Sequence, residues 1–559
     1  LARSEATVAV EDGAGPLRWP AADGWADRVA AEQSLVSRTG SASAPLQLEG
    51  THLYLSHYWL AERELAARLR ALAQAPSRAL EEGTLADGIA RLFTDPEDHL
   101  QRVAAACATL RGLTVIAGGP GTGKTTTIAR ALALIFAHGP APLVALCAPT
   151  GRAAARLQQA VHDQAQTLAL EAEVRSQLLA LRGQTIHRLL GWRGPAGFRH
   201  GQDDRLPHDL LVVDETSMVS LSLMRSLLGA IRSDARVVLV GDPDQLAAVE
   251  AGAVLRDIVG PACEEPRLSA GMRAILARVT GGEPPGAPAV AAGFGDGVIA
   301  LRRGHRFGAT IGGLADAIRR GEQEATLAAL RGGGREILWI EAEDAGAEPL
   351  RDATLDAYRS VFAAASRGDG AGALQALQGF RLLCAHRHGP HGVAHWTAQI
   401  ERWLAEAIDG LRPTAGHYVG QPLLVTENDY ELRLHNGDAG VVVAGCGEEQ
   451  ATAVFERDGA LVGLAPSRLG AVQTLYAMSI HKSQGSQFDV TAVVLPRPDS
   501  PILTRELLYT AVTRARRRLI VLGGEESLRA AVSRPVARAS GLQELLWDEA
   551  GAKVLERSS

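Results

Sequence analysis

LTVIAGGPGTGKT, residues 113–125, is the stretch from which the architecture of this chain is read. Its first six residues are an apolar, strand-type run without polar alternation. Its last eight, GGPGTGKT (118–125), fit G-x-x-x-x-G-K-[ST] directly before a helical stretch. Glycines between a buried strand and a helix leave backbone N–H groups free to wrap a phosphate chain at the helix N-terminus. Gly118, Gly119, Pro120, Gly121, Thr122, Gly123, Lys124, Thr125 and Thr126 therefore form the expected cradle for ATP. In such a loop Lys124 reaches the β- and γ-phosphates and the Thr125 hydroxyl ligates Mg2+.

Working outward, PLVALCAP (142–149), DLLVVDE (209–215) and RVVLVGD (236–242) are further apolar runs alternating with helical ones. Strands of this kind, separated by helices, predict a parallel sheet covered on both faces. VVDETSM (212–218) ends such a strand with two carboxylates. Asp214 is suited to holding Mg2+ through water beside Thr125, and Glu215 to polarising the attacking water. The plainer alternative, that the pair only caps the next helix, loses ground with a phosphate loop upstream. VVLVGDPDQL (237–246) places Gln245 at another strand end, where an amide can sense an intact γ-phosphate.

At 559 residues the chain is too long for one hydrophobic core, and several compact units are expected. Residues 1–94 read as an N-terminal unit, with a hairpin in PLQLEGTHLYLSHYW, a helix over about 59–74 and a second helix ending near Phe93. Asp95-Pro96-Glu97 looks like a helix start and sets the boundary of a motor domain over 95–297. A second α/β motor is expected over 298–414 and 476–559, mostly helical across 314–378. Residues 415–475, with Asn436-Gly437 as a hairpin signal, read as a small β insertion within it.

Composition narrows the class. Apolar residues at 46% and charged ones at 21% exclude a largely disordered chain, and a net charge of −6 excludes a protein coated in positive charge. Five scattered cysteines, none in CxxC spacing, argue for a reducing, cytoplasmic setting, and no apolar run reaches the roughly 18 residues of a membrane span. Only Lys124, Lys482 and Lys553 are lysines, against 54 arginines. In a chain that uses arginine almost everywhere, a surviving lysine marks a place where a compact ammonium is wanted.

The motifs in order then carry a resemblance. The phosphate loop, DETSM (214–218), GDPDQLAAVEAGAVL (241–255), AMSIHKSQGSQFD (477–489) and LLYTAVTRARRRL (507–519) resemble the ordered motifs of superfamily one helicases. Further strings, LCAPTGRAAARL (146–157), TIHRLL (185–190), GHRFGATIGGLADAI (304–318), LLCAHRHGPHGV (382–393) and NDYELRLHNGDAGVV (428–442), resemble the RecD family, the alpha subunits of RecBCD (exodeoxyribonuclease V). The likeness runs from about Leu53 to about Gly524.

The resemblance implies two RecA-like domains with ATP between them and Arg306 and Arg514 as arginine fingers. It further implies Gln101 reading the adenine, Gly485 at the nucleotide, and Thr150, Gly151, His187, His481 and Lys482 on single-stranded DNA. It implies 5′→3′ movement, an SH3-like character for the insertion, and an N-terminal domain docking on RecB-like and RecC-like subunits that process double-strand DNA ends. Three positions depart from the family pattern: His305 where an aromatic such as Tyr is usual, Gln487 where Glu is usual, and Thr397 near a usual Asn.

Competing readings are a stand-alone RecD-like helicase, whose longer N-terminal extension finds no room here, and a relaxase-linked helicase. A subunit that binds nucleotide without moving DNA, or a P-loop ATPase of another kind, would not need all of these motifs intact. Cys384, His386, His388, His391 and His395 do not have the spacing of a tetrahedral metal site and are expected to be a surface loop. No carboxylate cluster of nuclease type is evident, so a nuclease centre is expected in a partner.

Overall fold

The computed structural model describes residues 24–38, 44–50, 52–75, 81–95, 97–247, 252–286, 293–302, 309–341, 348–409, 411–413, 416–429, 431–445, 451–457, 460–536 and 540–548. At the N-terminal end, β1 (Val36–Ser37), β2 (Leu46–Glu49) and β3 (His52–Leu55) form a small sheet. β2 and β3 pair as the expected hairpin, around Gly50 at φ 56°. The following helix, Ser56–Gln74, buries Leu65, Leu69 and Leu72 at helical spacing.

That buried stripe does not make an independent core. Leu65, Leu69 and Leu72 join one hydrophobic cluster with Leu113, Val115 and Leu239 of the first motor. On the opposite side, Leu85, Ile89 and Leu92 of the helix Glu82–Leu92 join Ile116, Ile128 and Leu132. The boundary placed at 94/95 therefore does not separate two cores. Asp95 itself closes a turn, accepting from the Glu97 amide at 2.9 Å, and the helix starts only at His99. Leu69 is fully buried, so Leu69→Ala is expected to cost about 2–5 kcal/mol. Denaturant unfolding should show the helix and the first motor melting in one transition; a separate early transition would restore an autonomous N-terminal unit.

The first motor sheet comprises β4 (Leu113–Gly118), β5 (Val144–Ala148), β6 (Gly183–Thr185), β7 (Leu210–Val213), β8 (Arg236–Gly241) and β9 (Val298–Leu301). All are parallel, in the order β6-β5-β7-β8-β4-β9, with helices on both faces. β9 corrects the expected division at 297/298. Its residues pair with β4, from Val115↔Val298 to Gly118↔Leu301, and close the edge of the first sheet. An apolar tetrapeptide carries no mark of which sheet it will join.

The second sheet contains β10 (Ile337–Ile340) and β11 (Phe380–Cys384) before an insertion. The insertion is built of β12 (Pro422–Val425), β13 (Ala439–Val443), β14 (Thr452–Arg457), β15 (Ala460–Leu464) and β16 (Val472–Thr474). The sheet then resumes with β17 (Ala477–Ser479), β18 (Phe488–Val494) and β19 (Ala515–Leu522), in the order β10-β19-β18-β11-β17, all parallel. β10 is a strand inside the stretch expected to be helical.

The insertion is a five-stranded antiparallel sheet with its own small core, including Leu423, Val442 and Phe455. Asn436-Gly437 does not form a two-residue hairpin. It lies in a turn, closed by the Asp438 amide on His435 O, at the end of the longer connection from β12 to β13.

The last described helix, Leu542–Trp547, leaves the second motor and returns to the first core. Arg70 donates to the carbonyls of Leu545 (2.8 Å) and Leu546 (2.9 Å), occupying acceptors that a helix end leaves open. Buried Glu62 accepts from Ser540 Oγ (2.8 Å) and the Gly541 amide (3.1 Å), and Trp547 donates to Ile258 O at 3.2 Å. Residues 540–548 thus do not sit with the second motor, where the sequence reading placed them.

Candidate active site

β4 ends in Gly118, and the chain then turns through Gly121 (φ 86°) and Gly123 (φ 84°), left-handed values that glycine reaches without a Cβ clash. Gly123 caps the helix Lys124–Ala137, whose N-terminus points its amides into the loop. The Lys124 ammonium folds back over this loop and donates to Gly118 O at 2.6 Å and Gly119 O at 2.9 Å. Thr122 Oγ1 donates to Gly119 O at 2.9 Å. Gln101, buried on the helix His99–Leu110, donates to Thr122 O at 3.3 Å. A Cβ on Gly123 would lie 2.5 Å from that Gln101 amide nitrogen. Thr125 and Thr126 occupy the first turn of the helix, half-buried.

The carboxylates arrive from neighbouring strand ends. β7 delivers Asp214 and Glu215, and β8 delivers Asp242, with Gln245 three residues on. In a parallel sheet the carboxyl ends of the strands lie along one edge, where ligands bind. Glu215 has φ 50° and ψ 41°, a left-handed conformation rare outside glycine and typical of functional sites. Its amide bonds Asp214 Oδ1 at 2.8 Å. Burial, with Glu215 adding to it, pushes the Asp214 carboxyl up to about 6. Burial also raises Asp242, against the opposing pull of Lys124. It lowers the Lys124 ammonium, which Asp242, Glu215 and Asp214 hold up in turn.

Asp214, Glu215 and Asp242 place three acids beside the Lys124 ammonium. That suits a divalent cation brought with phosphates, for which Thr125 and Asp214 are the available protein donors. Among the described residues no three His, Cys, Asp or Glu groups converge as a metal cage, so such a cation would be held jointly with its nucleotide. Gln245 donates Nε2 to Asp242 Oδ2 at 2.8 Å, while its buried Oε1 has no partner among the described residues. That orphaned acceptor is suited to a water or hydroxyl donor at the γ-phosphate position.

The second motor supplies the other wall. Arg514 is buried and donates to Thr510 O (3.0 Å), Ser486 O (3.1 Å) and Thr513 Oγ1 (3.2 Å). Burial lowers its affinity for the proton, and Glu215 and Asp242 across the cleft restore it. Gly485 (φ 72°) faces Glu215, and a Cβ there would stand 4.0 Å from Glu215 Oε1. Arg306, the other expected finger, lies outside the described residues, as does His305.

Three groups that the sequence reading passed over belong here. Asp242 sits within a strand end already singled out, and the acid-at-strand-end logic applied to Asp214 would have found it. Tyr509 of the second motor turns its hydroxyl toward Asp242, and a Cβ on Gly119 would lie 2.8 Å from that oxygen. Arg156 of the first motor crosses to the second, donating to Gly485 O at 3.1 Å and Gln487 Oε1 at 3.5 Å. In a chain with 54 arginines nothing marks Arg156 beforehand. Gln487, a departure from the family pattern, is thus used as an acceptor.

The residues expected on a nucleic acid lie elsewhere along the same edges. Thr150 and Gly151 follow β5 and His187 follows β6, on the side of the sheet away from the phosphate loop. The Thr150 hydroxyl accepts from the Ala153 amide at 3.2 Å and so caps the helix Gly151–Thr167. His187 is exposed and packs on Trp192 and Phe198, with ring centroids at 5.7 and 5.8 Å. Trp192, 52% exposed, is a further aromatic that the motifs did not reveal. His481 and Lys482 follow β17, beside Arg387 of the loop after β11. In that loop His386 bonds Ser500 Oγ at 3.0 Å.

Two parallel-sheet domains that share one phosphate cleft are the build of a tandem P-loop motor, an ATPase of the helicase class. Residues 101–251 match the family model of the AAA domain, and residues 474–522 that of the UvrD-like helicase C-terminal domain. The chain is 46% identical over 539 residues to RecBCD enzyme subunit RecD of Mycolicibacterium smegmatis, covering 95% of this chain and 88% of that protein. It is 29% identical over 553 residues to the RecD subunit of Haemophilus influenzae, with 94% and 84% covered. To the ATP-dependent RecD2 DNA helicase of Deinococcus radiodurans it is 31% identical over 500 residues, with 88% and 58% covered. The chain belongs to the RecD family and is an ATP-dependent DNA helicase.

Proposed function

We propose that this chain is the 5′→3′ motor of a RecBCD-type helicase–nuclease, translocating on single-stranded DNA from double-strand ends with RecB-like and RecC-like partners in the cytoplasm. One observation carries the motor reading: Lys124, Asp214, Glu215 and Asp242 of the first domain face Arg514 of the second across a single cleft. Lys124 and the loop amides hold the β- and γ-phosphates, and Thr125 and Asp214 would hold Mg2+. Glu215 orients the attacking water, Gln245 senses the γ-phosphate, and Arg514 and Arg306 neutralise the charge that develops on transfer. Gln101 serves the adenine end and Gly485 lines the pocket. A bound Mg2+ would supply charge neutralisation to the phosphates.

DNA runs across the outer strand ends, over Thr150, Gly151 and His187 on the first motor and His481 and Lys482 on the second. The His187–Trp192–Phe198 cluster offers an exposed stacking platform, which tolerates any base. Trp192→Ala is expected to weaken single-strand binding by about 1–3 kcal/mol, read by fluorescence titration at fixed salt. Unchanged affinity would take the platform off the DNA path. On the N-terminal unit, Leu35, Leu55 and Leu60 are 43–52% exposed, large apolar side chains that fit the docking role. Among the described residues no helix is long and apolar enough to cross a membrane.

The test is ATPase rate with and without single-stranded DNA, followed by unwinding of duplexes with either a 5′ or a 3′ tail. DNA-stimulated turnover and preference for the 5′ tail are expected. Preference for the 3′ tail would reverse the assigned polarity, and co-purification of partner subunits tests the assembly.

A further inference from the structure

Leu246 follows the γ-phosphate-sensing Gln245 on the first motor, yet it is held almost wholly by the second. Its side chain, 6% exposed, is buried in the second motor's core with Ile311, Leu314, Ile480 and Leu507 rather than in either core of its own domain. Its amide donates to Thr510 Oγ1 at 2.9 Å, and its carbonyl accepts from Gln484 Nε2 at 2.5 Å. One residue of the first domain therefore has its side chain, donor and acceptor all engaged by the second.

The two partners are themselves placed at functional points. Thr510 O receives the Arg514 guanidinium at 3.0 Å, so the residue gripping Leu246 also positions the finger. Gln484 stands two residues after Lys482 and directly before Gly485, in the segment assigned to DNA and nucleotide. On the other side, Gln245 is bonded to Asp242, whose carboxyl faces Lys124 and Tyr509. A shift of Gln245 on gain or loss of the γ-phosphate would reach Leu246 through the single peptide unit that joins them, and close-packed cores transmit such a shift rather than absorb it.

We infer that Leu246 is the coupling knob between the motors, a positioning residue through which the nucleotide state at Gln245 is passed to the DNA segment by Gln484 and to Arg514 by Thr510. This rests on the motor reading above. Removing the knob or its clasp leaves the phosphate cradle in place but uncouples it from DNA. Loss of the buried amide's partner in Thr510→Val should lower the ratio of DNA-stimulated to unstimulated kcat about tenfold, with KM for ATP moving less than about twofold. Leu246→Ala should behave alike. Thr510→Ser, which keeps the hydroxyl, and Leu246→Met, which keeps the volume, should recover most of the ratio.

The experiment is steady-state ATPase on the full chain with and without poly(dT), for wild type and these four variants, with denaturant unfolding to verify folding. A wild-type ratio in both Thr510→Val and Leu246→Ala would overturn the proposal. So would a Thr510→Ser variant as impaired as Thr510→Val, or stimulated and unstimulated rates falling in parallel. A wild-type chain without DNA stimulation would remove the motor reading and the coupling with it. Stimulation in wild type, lost in the two disruptive variants and recovered in the two conservative ones, is the expected result.

Discussion

Lys124→Gln abolishes ATP turnover while the fold survives. The ammonium is the only lysine in the first motor, and the carboxyls of Asp242, Glu215 and Asp214 act on it in the cleft. A neutral amide removes the charge that the β- and γ-phosphates meet, and the loss of one preorganised electrostatic group of this kind costs about 10²–10³ in kcat. The helix Lys124–Ala137 keeps its place because Ile128, Leu132 and Ile135 anchor it in the core, independent of the side chain at its first position. The measurement is ATPase rate beside a denaturant unfolding curve. Turnover within tenfold of wild type in a folded variant would strike Lys124 from its role.

Arg514→Ala gives the second large loss, of about 10³–10⁵ in kcat, with ATP binding retained. The guanidinium comes from the second motor and faces Glu215 and Asp242 of the first, so its contribution belongs to the closed cleft rather than to nucleotide affinity. Arg514 also satisfies Ser486 O and Thr510 O in a buried setting, and the truncation should cost about 1–3 kcal/mol of stability besides. Arg514→Lys separates the two effects. It keeps the charge but loses the planar fork, and should remain impaired. Equilibrium binding of a fluorescent nucleotide, measured with turnover, checks the division; weakened binding with normal turnover at saturation would assign Arg514 to affinity instead.

Much of the candidate site was legible because its signals are local. A strand-end glycine loop, a helix N-cap and a carboxylate at the end of an apolar run are each written within about seven residues, and their geometry follows from backbone preferences. Gly121 and Gly123 adopt the left-handed turns that the motif requires, and Lys124 reaches back over six residues to Gly118. Parallel sheets followed from apolar runs without alternation, for both faces are covered. Where such a signal was weak, the reading slipped: β10 hid among helices, and the Asn436-Gly437 turn closed a longer loop.

By itself the sequence determined the phosphate loop, the strand-end acids, the order of the motor motifs and the presence of two parallel-sheet domains with a β insertion. Only the tertiary structure decided which of these meet. β9 joined the first sheet, and the helices Ser56–Gln74 and Leu542–Trp547 came to share one core with it. Asp242 met Tyr509, Arg156 met Gly485 and Leu246 met Thr510 over separations of more than 200 residues. Burial and hydrogen bonding between elements are non-local and nearly indifferent to sequence distance, so one apolar or arginine-rich stretch reads much like another until the cores that take it up have formed.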